Sequence, residues 1–300
     1  MKRIDHNGPT PQQPYVTRAA GRAWEITKAR PLALSCTAVL LVMATAALLA
    51  DFVAPRDPLA QDIAGRLLPP GNDHLFGTDG FGRDVFSRVV HGARASLFVS
   101  ALAVGMAAAA GICSGMFSAY WGGKLDLLLQ RAVDVLLGLP YLVLAIIMVV
   151  ALGPSWVSVA FAIALALAPQ IARLSRASAL STREEPYVDA ARAMGASSFH
   201  TIWKHVLPNS LPPVLAQVSG YFGTAVAAET ALSFLALGIP PPYPAWGRML
   251  QEGVRQYFEA APWATVFPGL ALSATVAGAA LLGEEIRDLL DPRRSRSRRG

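Results

Sequence analysis

Charge is scarce in this chain. Asp, Glu, Lys and Arg make up 15% of its 300 residues, against about 25% in an ordinary soluble domain. Cysteine is scarcer still. Cys36 and Cys113 each sit in an apolar run, which excludes a disulfide scaffold and marks both as packing residues. No GxxxxGK[ST] occurs, so the chain has no P-loop of its own for ATP. No HExxH and no Cys/His cluster occur either, and no metal site is expected. What abounds is apolar: 53% of residues are hydrophobic and mean hydropathy is +0.41. These residues lie in long runs, which excludes a disordered or collagen-like chain and reads as an all-α polytopic membrane protein. The pI near 9.6 first suggests nucleic acid, but the basic residues prove to be sorted by membrane side.

A helix needs about 20 mostly apolar residues to cross the hydrocarbon. Six segments qualify: 32–54, 95–120, 132–152, 154–172, 211–239 and 263–283. Their length, without ten-residue alternation, argues for helices over barrel strands. With the N-terminus placed in the cytoplasm, 19 of the 26 Lys and Arg fall on inside segments and 7 outside. Two basic ends require an even number of crossings, hence six helices with both termini inside. Residues 1–31 then form an unstructured basic tail, 55–94 an outer loop, 95–283 a five-helix core, and 284–300 a basic inner tail. A cleaved signal peptide does not fit, because the first apolar core starts too late and runs too long. The arginines from Arg293 to Arg299 suit anionic inner-leaflet lipid.

The outer loop holds a glycine-punctuated turn from His74 to Asp84, followed by Val85-Phe86-Ser87-Arg88-Val89-Val90-His91. Val85, Phe86, Val89 and Val90 share one helical face, with Asp84 and Arg88 spaced i, i+4 on the other. The spacing predicts a short amphipathic helix along the outer surface. It either packs on the helix ends or offers Asp79, Arg83, Asp84 and Arg88 to an outside partner.

The inner loop, 173–210, carries the most information. Ser181 with Glu184, and Thr182 with Glu185, have capping-box spacing. Pro186 suits a first turn. Gly195 suits an αL stop. Ser197 or Ser198 starts a second helix, which Pro208 ends or kinks. Ala190, Ala191 and Gly195 fall on one nearly bare face, with Tyr187, Val188 and Met194 around it. Such a helix either lies on the membrane or is gripped in another protein's groove.

This loop resembles the coupling segment of binding-protein-dependent ABC importer permeases, whose pattern is E-A-A-x3-G-x9-I-x-L-P. Here Asp189-Ala190-Ala191, Gly195, His205, Val206, Leu207 and Pro208 fill it, Asp189 standing for the usual Glu and His205 for an apolar residue. The stretch Phe76-Gly77-Thr78-Asp79-Gly80-Phe81-Gly82-Arg83-Asp84 is similar to a signature of the C-type subunit of the oligopeptide/dipeptide/nickel class. So are Val133-Asp134-Val135-Leu136, Leu232-Ser233-Phe234-Leu235 and Asp291-Pro292. The resemblance implies an ABC type I importer permease fold in the inner membrane of a bacterium. It implies a heterodimer with a homologous permease, two cytoplasmic ATPase subunits holding ATP and Mg, and an extracytoplasmic substrate-binding protein. No cofactor is expected on this chain and no catalytic residue. Tyr187, Val188, Asp189, Ala190, Ala191, Met194, Gly195, Leu207 and Pro208 would couple to the ATPase. The implied cargo is a di- or oligopeptide or a glutathione-like peptide, with nickel or a metal chelate as the alternative.

A few polar groups fall within or beside the apolar runs. Glu229 sits mid-span, where facing lipid would cost about 2.5–3.5 kcal/mol or more, so it should face a helix interface or an aqueous path. Asp134 can reach Arg131 at i, i+3. Gln217, Tyr221 and Phe222 are candidate pore lining, and Gly111-x3-Gly115 marks a close-packing helix. An integral membrane enzyme would need a nucleophile–base or metal constellation in the spans. An assembly subunit would have no use for the coupling spacing.

Overall fold

The computed structural model describes residues 31–290, with side chains described from 34 to 287; both tails fall largely outside this range. The helices are α1 (Pro31–Leu48), α2 (Ala50–Val53), α3 (Val85–Trp121), α4 (Gly123–Leu137), α5 (Tyr141–Leu152), α6 (Trp156–Arg183), α7 (Pro186–Ala193) and α8 (Ser198–Thr201). A π-helical turn, Ile202–Val206, leads into α9 (Leu207–Phe234), followed by α10 (Trp246–Gln256) and α11 (Trp263–Leu290). Among the described residues the only strand-like pairing is one bridge, Thr78 to Asp84.

α3, α6 and α11 are long and apolar enough to cross a membrane. α4 and α5 together qualify as a fourth crossing, bent by 93° at the break. The segment 132–152 is therefore not one straight span. Pro140 has no N–H and forbids helical backbone at Leu139, so the chain turns at Gly138-Leu139-Pro140 and restarts at Tyr141. Leu34–Leu48 is a shorter apolar helix. α9 has the length, but its first half carries Pro208, Asn209, Ser210, Pro212 and Pro213 and its second half Glu229. The amphipathic segment after Asp84 is no separate surface helix. It is the first two turns of α3, which runs 37 residues, roughly 55 Å.

Small side chains let these helices approach closely. A Cβ on Gly111 would stand 2.7 Å from Cβ of Ile171, and one on Gly115 would land on the Ala172 carbonyl, so both glycines are the contact points of α3 with α6. Val99, Ala103 and Ala107 of α3 meet Val149 of α5, Ile163 and Leu167 of α6, and Ala225 and Leu232 of α9 in the main core. A second core, beside the loop 55–94 expected to lie outside, joins α1, α3, α9, α10 and α11 around Trp246. The Trp246 indole donates to the Val89 carbonyl at 3.0 Å. A third and smaller core lies where α3 and α6 end, and it holds the inner loop.

Candidate functional site

The inner loop is built from local backbone rules. α6 ends at Arg183, whose guanidinium donates to the Ala119 carbonyl at the end of α3 (2.8 Å). Three residues on, Pro186 opens α7 in its first turn, where a missing N–H costs nothing. The anticipated capping boxes are not used. Glu185 takes the N-cap position without a side-chain bond, and the Thr182 hydroxyl donates back to Ser178 O. At the other end Gly195 adopts φ +84°. Its N–H donates to Arg192 O (2.9 Å) and that of Ala196 to Ala191 O (3.1 Å), the paired bonds of a Schellman motif. Ser197 then caps α8, its Oγ accepting from the His200 N–H.

Pro208 does not end a helix here; it sits in the first turn of α9. Lacking an N–H, it leaves the Lys204 carbonyl without its i, i+4 donor, and its ring crowds that carbonyl. The turn ahead of it widens accordingly, with Leu207 N donating five residues back to Ile202 O. The chain thus runs from α8 through the π turn into α9 without a break, and the turn 194–197 ties α7 to α8.

Packing decides which side of α7 is free. Val188 (0% exposed) packs with Met116 and Ala119 of α3, Ala179 of α6 and Val206 of the π turn. Ala191 (4%) faces inward with it. Tyr187, Asp189, Ala190, Met194 and Gly195 are exposed, Met194 at 82%. Ala191 is therefore separated from Ala190 and Gly195, which together keep the bare outward patch; a bulky residue at 191 would meet the core. Arg192 pairs weakly with Asp189 (3.5 Å) and lies 5.7 Å from the Tyr120 ring centroid. Leu207 is half-buried, and Pro208 is exposed. Beside the loop, Arg176 holds Asp126 in a two-bond pair at 2.7 and 2.6 Å, fixing α4 to α6. Asp134 bonds Arg173 of α6 at 2.7 Å rather than Arg131 of its own helix.

The outer turn is folded inward. Asp79 accepts from Arg83 (2.7 Å) and faces Arg88 (3.4 Å), while both arginines reach Glu252 of α10 (2.8 and 3.6 Å). Asp84 does not pair with Arg88. It accepts from the Ser87 N–H and hydroxyl as the N-cap of α3 and faces His74 at 2.9 Å. All four proposed docking residues are buried, so they clamp the outer loop to α10 through Glu252 and leave the exposed surface to their neighbours. The glycine spacing has a steric cause: at Gly82 (φ +72°) any Cβ would collide with the Asp62 carbonyl. Glu252, the fourth charge of the clamp, escaped sequence reasoning because it lies 169 residues from Arg83.

Glu229 is fully buried and accepts from Ser233 at 2.6 Å, on the side of α9 that packs toward α3 and α10. Its second oxygen and the Ser96 and Thr230 hydroxyls have no hydrogen-bond partner among the described residues. Gln217, Tyr221 and Phe222 are half-buried on α9. They do not converge: Tyr221 packs on the main core and Phe222 on the outer one. Cys36 is buried as expected; Cys113 is exposed, on the outward flank of α3.

A long bundle of small-residue helices ends, on one side, in a tethered short helix with a bare tip, and its sequence can be compared with known chains. The family model of binding-protein-dependent transport system inner membrane components matches residues 111–296. This chain belongs to that family. A second model, the N-terminal TM domain of oligopeptide transport permease C, matches residues 20–70. A putative peptide transport system permease protein of Brucella suis is 43% identical over 255 residues, 85% of this chain and 86% of that one. The dipeptide transport system permease protein DppC of Alkalihalophilus pseudofirmus is 38% identical, covering 96% of this chain and 94% of its own. The probable D,D-dipeptide transport system permease protein DdpC of Escherichia coli is 38% identical, covering 94% of each. Among solved structures, the inward-facing MetNI methionine ABC transporter aligns with a TM-score of 0.55 at 20% identity, over 68% of this chain and 96% of that one. That likeness concerns the fold, the type I importer permease arrangement.

Proposed function

We propose that this permease forms half of a translocation path for di- or oligopeptides, with α7 as the lever through which a partner ATPase moves it. The observation that carries the reading is the one-sided anchoring of α7. Val188 and Ala191 lock it to the ends of α3 and α6, while Tyr187, Ala190, Met194 and Gly195 stay outside, and the π turn joins it to α9. Motion imposed on such a tip passes to α9 as a rigid-body displacement between two states of the assembly. Six crossings with both termini cytoplasmic put α7 on the ATPase side. They are supported by the charge bias and by four crossings' worth of apolar helix, with α1 and α9 supplying the other two. In this reading the core spans 95–283 with its coupling loop at 173–210, the tails at 1–31 and 284–300 stay in the cytoplasm, and the membrane is a bacterial inner membrane. A homologous permease, two ATPases carrying ATP and Mg, and an outer binding protein complete the machine. The chain itself catalyses nothing. Peptide cargo is supported by the relatives at 35–43% identity whose names specify peptide or dipeptide transport.

The test uses Ala190→Trp. Ala190 is exposed within α7, so a bulky side chain there points away from the buried Val188 and Ala191 and leaves the left-handed stop at Gly195 undisturbed. The variant should insert normally yet lose ATPase copurification and labelled-dipeptide uptake. Retention of both would remove α7 from the coupling role, and uptake of nickel in place of dipeptide would reassign the cargo.

A further inference from the structure

A groove of about 360 Å³ lies between the end of α3 and the π turn, its wall including Phe117, Trp121, Phe199, Ile202, Trp203 and Leu207. Its wall is almost wholly apolar. Phe117 stacks on Trp121 at 4.9 Å, and Phe199 lies 5.9 Å from Trp203, all four rings being at least half exposed. We propose that this groove seats an acyl chain of an anionic phospholipid of the inner leaflet.

Three observations select that occupant. The groove continues the exposed flank of α3 formed by Ala109, Cys113, Phe117 and Trp121, and α3 is long and apolar enough to cross the bilayer. Aromatic rings concentrated at the end of such a helix sit at headgroup depth, with apolar slots between them open to lipid tails. The exposed charges next to the two tryptophans in sequence are cationic: Lys204 follows Trp203, and Lys124 follows Trp121 by three residues. The nearest carboxylate in sequence, Asp126, is turned to Arg176 at 2.6 Å. A chain seated here would touch Ile202, Trp203 and Leu207, the link between α7 and α9, so the lipid would form part of the wall along which that link moves.

The assignment to the inner leaflet rests on the cytoplasmic placement of α7 proposed above. The test is fluorescence of the assembled importer in nanodiscs containing phosphatidylglycerol or phosphatidylcholine brominated on the acyl chain. The quenched component is assigned by Trp121→Phe and Trp203→Phe, which keep an aromatic wall. Brominated phosphatidylglycerol should quench these two tryptophans at lower mole fraction than phosphatidylcholine, by about fivefold for each lysine engaged. Lys124→Gln with Lys204→Gln should abolish that difference while leaving quenching itself. Absence of quenching by either lipid means a protein partner covers the groove, and equal quenching by both removes the anionic headgroup; either result overturns the proposal. Sidedness fails separately: labelling of Met194→Cys only from the outer face would refute the topology and leave the quenching result unchanged.

Discussion

Gly115→Ala and Gly105→Ala place the same methyl group on the same helix with opposite expected outcomes. At Gly115 the added Cβ lands on the Ala172 carbonyl and 2.8 Å from both the Arg176 backbone nitrogen and Ser175 Cβ. Two of these three atoms are backbone, so the strain cannot be relieved by a rotamer change and α3 must move off α6. Overpacking of that kind costs about 1–3 kcal/mol, offset by about 0.5–1 kcal/mol from replacing glycine within a helix. The net expectation is a loss of about 1–2 kcal/mol. At Gly105 nothing lies within 4 Å, so only the favourable part remains. Reversible denaturant titration of the purified permease, followed by tryptophan fluorescence, separates the two. Equal stabilities, or a more stable Gly115→Ala protein, would refute the claim that backbone contact at this glycine holds α3 against α6.

The outer clamp is open to charge deletion: Asp79→Asn leaves the buried Arg83 and Arg88 to share Glu252 alone and should cost toward the lower end of about 3–5 kcal/mol, measured by the same titration. Burial, and then Asp79 and Glu252, push the Tyr257 phenol up to about 12. The unfolded chain releases this proton near pH 10, so the folded form holds it longer, and the stability it contributes is lost as pH rises from 10 toward 12. Tyr257→Phe should flatten the stability profile in that window, measured against the parent protein. On the inner side, Val188→Ala removes two methyls from a fully buried site and should cost about 1–2 kcal/mol. Uptake should weaken more than thermal stability, because the affected contact anchors α7 rather than the main core.

Much of this architecture could be read directly from residue spacing. The Schellman stop at Gly195 and the Ser197 cap follow local rules, and the spacing of Gly111 and Gly115 marks a contact face; the capping boxes at Ser181 and Thr182, equally local, go unused because Glu185 takes the N-cap. The other failures are mostly tertiary. The choice of Arg173 over Arg131 for Asp134, and of Glu252 for Arg83 and Arg88, depends on which helices pass one another, and spacing along one helix does not contain that. The amphipathic stretch from Val85 looked like a surface helix because its apolar face was visible, whereas the uninterrupted run through Gly92 into α3 was not. Gly92 stands 3.1 Å, by its missing Cβ, from the Trp246 ring, a contact 154 positions away in sequence. Ala191 was grouped with Ala190 and Gly195 by helical angle, but the direction of burial was set by Val188 and the ends of α3 and α6. Pro208 reads from sequence as a stop or a kink, and the widened turn before it shows how a helix can begin at a proline without a break in the chain.

The lever itself admits one direct measurement. With Cys36 and Cys113 replaced, Met194→Cys places a single thiol on a residue of the inner loop that is 82% exposed, and a short bifunctional reagent can then be applied to the assembled importer. The account predicts a cross-link to an ATPase subunit whose yield changes between the nucleotide-free and ATP-bound states. A Met194→Cys thiol that reacts with a membrane-impermeant reagent from the outside, or never joins an ATPase in either state, would contradict it.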